Sequence, residues 1–305
     1  MKVLLATDGS ETAMAATKTV EQLAEHNPID VTVVTVSYDP QRYQFQPWVP
    51  ECTEQENART AKILSDAKRA LDRTCQSVSI NHVSGVVMPA ILDEAEKRKV
   101  DLIVMGAKGN SVIGRLLLGS VSDSVASNAN CSVLVVRSSD TFDFDRIVVG
   151  YDKSVASREA VAELMQMKLD DQTHLDVVSV AEQPYVYLGE GFAGPPITLG
   201  PEQIRPIEET GEPIASQIAE HYPYTEWHTP VAAHVGEVIV RQAEATKANL
   251  ILVGDTGHSM LGELILGSTS KYVLRHAPCS VWISRHHTKT TSDATVEAGD
   301  AVAAN

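Results

Sequence analysis

Short runs of branched aliphatic residues alternate along the chain with longer stretches in which apolar side chains recur every three to four positions. Val3-Leu4-Leu5-Ala6 and Val31-Thr32-Val33-Val34-Thr35-Val36 are runs of the first kind; the stretch from Glu11 to His26 is of the second. These patterns predict strands near 2–7, 31–37, 78–83, 101–105 and 132–136, and helices near 11–26, 53–75, 88–98 and 120–128. The same order then returns, with strands near 145–150, 174–180, 228–234, 249–253 and 280–284. Val-rich strands separated by amphipathic helices imply right-handed crossovers and an α/β fold with a parallel sheet between helical layers.

The return is a repeat in sequence as well as in pattern. Val3-Leu4-Leu5-Ala6-Thr7-Asp8-Gly9-Ser10 recurs as Ile147-Val148-Val149-Gly150-Tyr151-Asp152-Lys153-Ser154, and Ala90-Ile91-Leu92-Asp93-Glu94-Ala95 as Val238-Ile239-Val240-Arg241-Gln242-Ala243. Each opening strand stops at an Asp, with Ser10 or Ser154 placed to cap a helix. The chain therefore divides into two tandem copies, expected at residues 1–139 and 144–286 and joined around Ser138–Phe144. Residues 287–305 are small, polar and acidic, the composition of a disordered tail. The connection from Ala181 to Pro201 is rich in Gly and Pro with few helical signals, and a loop of that length is either functional or mobile.

One element of the repeat carries chemistry. Gly106-Ala107-Lys108-Gly109, nine residues and then Gly119-Ser120 recurs as Gly254-Asp255-Thr256-Gly257, nine residues and then Gly267-Ser268. A strand, then backbone stripped of side chains, then a helix N-terminus is an anion site, because N–H groups can approach phosphate oxygens with no Cβ in the way. Ser120 and Ser268 could each donate a hydroxyl and a backbone N–H, or simply cap their helices. Asp8 and Asp152 end the first strand of each copy and could accept from a ribose hydroxyl, or cap the following helix. Met105 and Val253 read as core residues at strand ends or as the floor of an adenine pocket.

Taken together, Ala6-Thr7-Asp8-Gly9-Ser10, the glycine loop running on to Val121-Ser122, and Cys131-Ser132-Val133-Leu134-Val135-Val136, with their second-copy counterparts, resemble the universal stress protein family in tandem form over residues 1–286. The resemblance implies two Rossmann-like domains, each a five-stranded parallel sheet of order 3-2-1-4-5 flanked by helices. It also implies a stress-response regulatory protein that binds ATP or AMP, with or without Mg²⁺. Carried over, the first site is Thr7, Asp8, Val36, Met105, Gly106, Lys108, Gly109, Gly119, Ser120, Val121 and Ser122. The second is Tyr151, Asp152, Val180, Val253, Gly254, Gly257, Gly267, Ser268 and Thr269. Single-domain relatives pair through their last strand, so the copies are expected to pair through 132–136 and 280–284. A homodimer of whole chains stays open. Ala6 stands where the family often has Pro, and Met88-Pro89 where the second copy has Gly236-Glu237; neither removes a phosphate donor.

Composition narrows the reading. Hydrophobic residues make up 43% and aromatics 5%, so the cores rest on Val, Leu, Ile and Ala. The net charge is −15, with no basic stripe, which argues against a nucleic-acid partner. No apolar run approaches the roughly 18 residues of a membrane span, and the first residues enter a strand with no leader pattern, so a cytoplasmic protein is expected. Cys52, Cys75, Cys131 and Cys279 form no CxxC and read as free thiols. There is no HExxH, GxSxG or P-loop, and His258 reads as a loop residue, so no catalytic or metal-binding residue is assigned. Slow ATP hydrolysis and a nucleotide-independent scaffold are the alternatives. Finally, the first loop carries Lys108 and Arg115, whereas the second sets Asp255 and Glu263 against them. Like charges at 4 Å repel by about 1 kcal/mol even in bulk water. Copy one is therefore expected to hold ATP, and copy two to bind weakly, to bind AMP or to be empty.

Overall fold

The computed structural model describes residues 1–37, 50–108, 118–137, 144–183, 185–187, 193–196, 198–256 and 266–285. The linker at 138–143, the tail from 286, and Gly109, Arg115, Gly257, His258 and Glu263 lie outside them, as does the side chain of Cys52.

Copy one runs β1 (Lys2–Ala6), α1 (Glu11–His26), β2 (Asp30–Ser37), α2 (Pro50–Leu71), β3 (Ser77–Ser84), α3 (Val87–Arg98), β4 (Leu102–Gly106), α4 (Ser120–Asn128) and β5 (Ser132–Val136). Copy two opens with β6 (Arg146–Gly150), α5 (Val155–Gln166) and β7 (His174–Val178), then three short strands, β8 (Ala181–Glu182), β9 (Tyr185–Tyr187) and β10 (Ala193–Pro196). It continues through α6 (Pro201–Ala219), β11 (Tyr224–His228), β12 (Val231–Ala232), α7 (Val235–Thr246), β13 (Leu250–Gly254), α8 (Ser268–His276) and β14 (Ser280–Ser284).

The main strands form one ten-stranded sheet in the order β11-β7-β6-β13-β14-β5-β4-β1-β2-β3. Within each copy this is 3-2-1-4-5, and each of those pairs is parallel. A parallel sheet needs both faces covered, and the central strands obey: β4, β5, β13 and β14 are buried at every position. The helices are set by their first turns. Ser10 accepts from the Ala13 N–H (3.3 Å) at the start of α1, and Ser154 from the Ser157 N–H (3.1 Å) at the start of α5.

The copies meet where their fifth strands meet. β14 pairs antiparallel with β5, Trp282 opposite Leu134, with Val281 and Ile283 opposite Val135 and Val133. The chain is thus a pseudo-dimer through the two strands that the sequence singled out. Reciprocal bonds flank the seam: the Arg137 N–H donates to Ser280 Oγ (3.2 Å) and the Arg285 N–H to Ser132 Oγ (2.9 Å). An ion pair, Arg275 to Asp123 at 2.9 Å, joins α8 to α4.

Two expectations on element bounds need correction. The second helix starts at Pro50 and ends at Leu71 rather than spanning 53–75. The third strand of copy two is 224–228 rather than 228–234. Pro230 has no N–H for the ladder, so β11 stops before it, and the residues beyond turn away to pair β12 with β8. The Gly/Pro-rich connection contains the antiparallel β9–β10 ribbon as well as β8.

Cys75, Cys131 and Cys279 are free thiols. Burial pushes Cys131 and Cys279, each just before a seam strand, up to about 12, only partly offset by Arg285 and Arg137 respectively. A thiol that holds its proton more tightly when folded contributes full stability below its unfolded value near 9. That contribution is lost as pH rises from about 9 toward 12. Thermal melts across this window are expected to show falling stability. The double variant Cys131→Ala, Cys279→Ala should flatten the fall; an unchanged slope would refute the assignment.

Candidate functional site

Each copy has a cleft at the carboxyl end of its sheet, between the first and fourth strands, where the strand order reverses. The copy-one cleft encloses about 360 Å³ and the copy-two cleft about 520 Å³. Both lie in the range of small-molecule sites.

In copy one the cleft is lined by Thr7, Asp8, Val36, Met105, Gly106, Lys108, Gly119, Ser120, Val121 and Ser122. Every described residue proposed for the first site is brought to one cavity. The construction is local. Thr7 extends the β1–β2 pairing through its N–H to Val34 O (2.9 Å), and Asp8 Oδ1 accepts from the Ser10 N–H (2.9 Å). Asp8 therefore closes a turn before α1, and Ser10 is the cap. Ser10 and Thr12 donate to Lys108 O at 3.2 and 2.5 Å, which ties the start of α1 to the loop after β4. This closeness explains Gly106: a Cβ there would sit 2.7 Å from the Thr12 carbonyl carbon and 2.8 Å from Ala13 N.

One end of the cleft is the first turn of α4. Its N-cap is Gly119, and no side chain among the described residues caps it. Ser122 Oγ turns inward to Gly106 O (2.9 Å) and Ala107 O (3.2 Å), and the Gly119 N–H bonds Ala107 O (2.7 Å). These bonds fix the helix start against the strand end, with Ser120 exposed at the mouth. The opposite wall is apolar, from Val34, Val36, Val87, Ile91 and Met105.

Copy two repeats the bonds that fix the Asp turn and the helix start but not, among the described residues, those from Ser10 and Thr12 to the loop; Ala156 stands in the place of Thr12. Asp152 Oδ1 accepts from the Ser154 N–H (3.0 Å), Ser270 Oγ donates to Gly254 O (2.6 Å), and the Gly267 N–H to Asp255 O (2.7 Å). Gly267 caps α8 without a side-chain bond. Tyr151, Asp152, Val180, Val253, Gly254, Gly267, Ser268 and Thr269 all line the cleft. Tyr151 is buried and stacks edge-on against Trp227 (6.3 Å between centroids). Burial raises its phenol above the usual range, partly offset by Arg158.

The charge reading of copy two needs correction. The matched bonds to Ala107 O and Asp255 O place Asp255 in the position of Ala107, and Thr256 in that of Lys108. The Asp255 carboxylate is absent from the cleft lining. It is buried and meets the buried Arg285 guanidinium, Oδ2 to Nε at 3.3 Å. It therefore compensates the buried Arg285 charge and does not face the cleft.

Other charges in the clefts come from segments far from the glycine loops. Arg59 of α2 reaches cleft one and donates to Asp8 O (3.0 Å). Cleft two holds Lys153, whose Nζ donates to Pro206 O (2.9 Å), and Glu182 of β8. Lys153 takes the left-handed conformation of its counterpart Gly9 (φ 66° and 74°). That conformation carries a cost of about 1–2 kcal/mol for a non-glycine residue. Among described residues, cleft one thus carries Lys108 and Arg59 against Asp8, and cleft two Lys153 against Asp152 and Glu182. Pairing alone could not have found Arg59 or Glu182, since neither belongs to a repeated motif.

The sequence model of the Universal stress protein family matches residues 1–137 and again 143–285. The chain belongs to the universal stress protein family. A universal stress protein of Mycolicibacterium smegmatis is 29% identical over 304 residues, covering 93% of this chain and 96% of that one. A universal stress protein of Methanocaldococcus jannaschii is 32% identical over 142 residues, 45% of this chain and 81% of its own length. Among solved structures, a universal stress protein from Archaeoglobus fulgidus superposes with a TM-score of 0.64 at 20% identity, covering 93% of this chain and 96% of the other. One from Pseudomonas aeruginosa gives 0.63 at 14% identity, covering 93% and 92%. The two structural likenesses extend over both copies and bear out the tandem Rossmann-like fold of this universal stress protein. No helix among the described residues is long and apolar enough to cross a membrane.

Proposed function

We propose that the chain is a stress-response regulator that binds an adenine nucleotide in each copy, with ATP favoured in copy one and a less charged nucleotide such as AMP in copy two. The supporting observation is the first turn of α4 and of α8, which no described side chain caps, each opening onto a cleft with an apolar wall. Phosphate takes the helix end, where N–H groups and the dipole favour an anion. The base takes the wall formed by Val36 and Met105 in copy one, or Val180 and Val253 in copy two. Asp8 and Asp152 line the same clefts and are assigned the ribose. Gly119 keeps the cradle open, since a Cβ there would lie 3.1 Å from Ala107 O.

The ordering of the sites rests on charge, because the larger cleft is that of copy two. A triphosphate brings three to four negative charges. Lys108 and Arg59 suit it, and Glu182 together with the loss of a lysine at Thr256 does not. Mg²⁺ would accompany the triphosphate. Chromatography and mass spectrometry of small molecules released by acid from the purified full-length chain test the reading. The expected product is an adenine nucleotide. A protein that releases none and also ignores added ATP would move the reading to a nucleotide-independent scaffold.

A further inference from the structure

The two copies differ in charge on the sheet face between their second and third strands, away from the glycine loops. In copy one, Thr32 and Ser79 sit side by side and share a hydrogen bond (2.9 Å), and Asn81 Nδ2 donates to the buried Glu94 carboxylate of α3 (2.9 Å). Arg98, one turn on, pairs with the same carboxylate and also reaches Thr32 Oγ1 (3.4 Å). An acid on the helix is neutralised by a cation on the helix.

In copy two the counterparts are all changed. The matching strand registers place Asp176 for Thr32, Glu226 for Ser79 and His228 for Asn81. The aligned helices α3 and α7, which both end in a left-handed lysine, place Gln242 for Glu94 and Thr246 for Arg98. The acids have moved to the strands and doubled, and the cation is gone. A cavity of about 370 Å³ is lined by Asp176, Glu226 and Thr246. Arg146 lines it from the other side, yet among the described residues both carboxylates form salt bridges with His228 alone.

We infer that Asp176, Glu226 and His228 form a binding site for a divalent transition-metal ion of the Zn²⁺ class, which takes the place of the Arg98 cation of copy one. One ligand atom from each residue lies within 4.8 Å of the others. A single nitrogen, His228 Nε2, faces both acids, at 2.7 Å from Asp176 Oδ1 and 3.8 Å from Glu226 Oε2. Tetrahedral ligands about 2.0–2.1 Å from Zn²⁺ stand about 3.3 Å apart, so the ion needs one gap widened and the other narrowed by about half an ångström. Gln242 Nε2 donates to Asp176 Oδ1 (3.2 Å) and orients that carboxylate from behind. An imidazole with two carboxylates selects Zn²⁺ and its neighbours over Mg²⁺ or Ca²⁺, which prefer all-oxygen shells. Glu226 is 78% exposed and His228 30%, so an ion can enter from solvent and keep water on its open position.

The test is calorimetric titration of the nucleotide-free, full-length chain with Zn²⁺, repeated with Co²⁺ while the visible ligand-field bands are followed. The variants are His228→Ala, Glu226→Gln and Thr246→Arg. The last restores the copy-one cation without removing a ligand, and Glu226 is exposed enough that its change leaves the fold in place. Wild type is expected to bind one equivalent more than each variant, with the Co²⁺ bands reduced to match and circular dichroism unchanged. Equal uptake by wild type, Glu226→Gln and Thr246→Arg would overturn the site. Displacement of Zn²⁺ by equimolar Mg²⁺ would overturn the assigned class of ion.

Discussion

Asp255→Ala is expected to destabilise the protein by about 3–5 kcal/mol, the usual cost of leaving one member of a buried ion pair alone. The side chains of Arg285 and Asp255 are 1% and 6% exposed and meet at 3.3 Å. Burial lowers the Arg285 pKa and Asp255 pulls it back, so the carboxylate is what keeps that charge tolerable. Copy one supplies the internal contrast. Arg137, the counterpart of Arg285, forms no ion pair among the described residues, and Ala107 stands where Asp255 would be. Arg137 is only half-buried and donates to Leu274 O at the end of α8. Arg137 is the more exposed residue of the two, whereas Arg285 is 3% exposed. Denaturant unfolding of Asp255→Ala and Asp255→Asn gives the measurement. Both should lose stability, the alanine variant more. Nucleotide affinity at copy two should not rise, since the carboxylate faces away from the cleft; a large gain would restore the repulsion first expected of it.

Trp282→Ala should cost a similar amount, about 3–5 kcal/mol, through the lost transfer energy of the ring and the cavity it leaves. Trp282 is fully buried and sits in the middle of the antiparallel seam opposite Leu134, in a core continuous across both copies. Few neighbours there can relax inward, because β5 and β14 are held on both sides by strands. The indole N–H has no protein partner among the described residues, so its removal orphans no acceptor and the effect is one of packing. A loss below about 1 kcal/mol in guanidinium unfolding would mean that the seam is not a packed interior.

Much of the fold was legible because parallel sheets write themselves plainly. β4 and β13 are unbroken apolar runs that end at glycine, and Ser10 and Ser154 announce their helices. The misplaced strand β11 carries Tyr, Glu, Trp and His on an edge, where one face is wet and no apolar run forms. Pro206 and Pro213 mask α6 as a helix in the sequence. The backbone half of each site was legible for the same reason that it repeats: glycine loop, Asp and Gly-Ser keep fixed spacing. The charges were not, because they depend on direction. Asp255 follows a strand, and sequence does not say whether its side chain turns to the cleft or to Arg285. Arg59, Lys153 and Glu182 reach the clefts only after α2, the α5 turn and β8 have folded into place.

Phosphate is proposed to bind at the first turns of α4 and α8, with ATP favoured at α4. Ser120 and Ser268 occupy the first position of these helices and are exposed. An aspartate is well tolerated there, because it complements the helix dipole. Facing a phosphate at about 4 Å, however, it repels each negative charge by about 1–4 kcal/mol, at least severalfold in affinity. The direct measurement is calorimetric titration of ATP into the full-length chain, Ser120→Asp and Ser268→Asp. Ser120→Asp is expected to remove the tighter ATP site and Ser268→Asp to leave it in place. Loss of the tighter site in Ser268→Asp alone, or no heat of binding in the unaltered chain, would contradict the proposal.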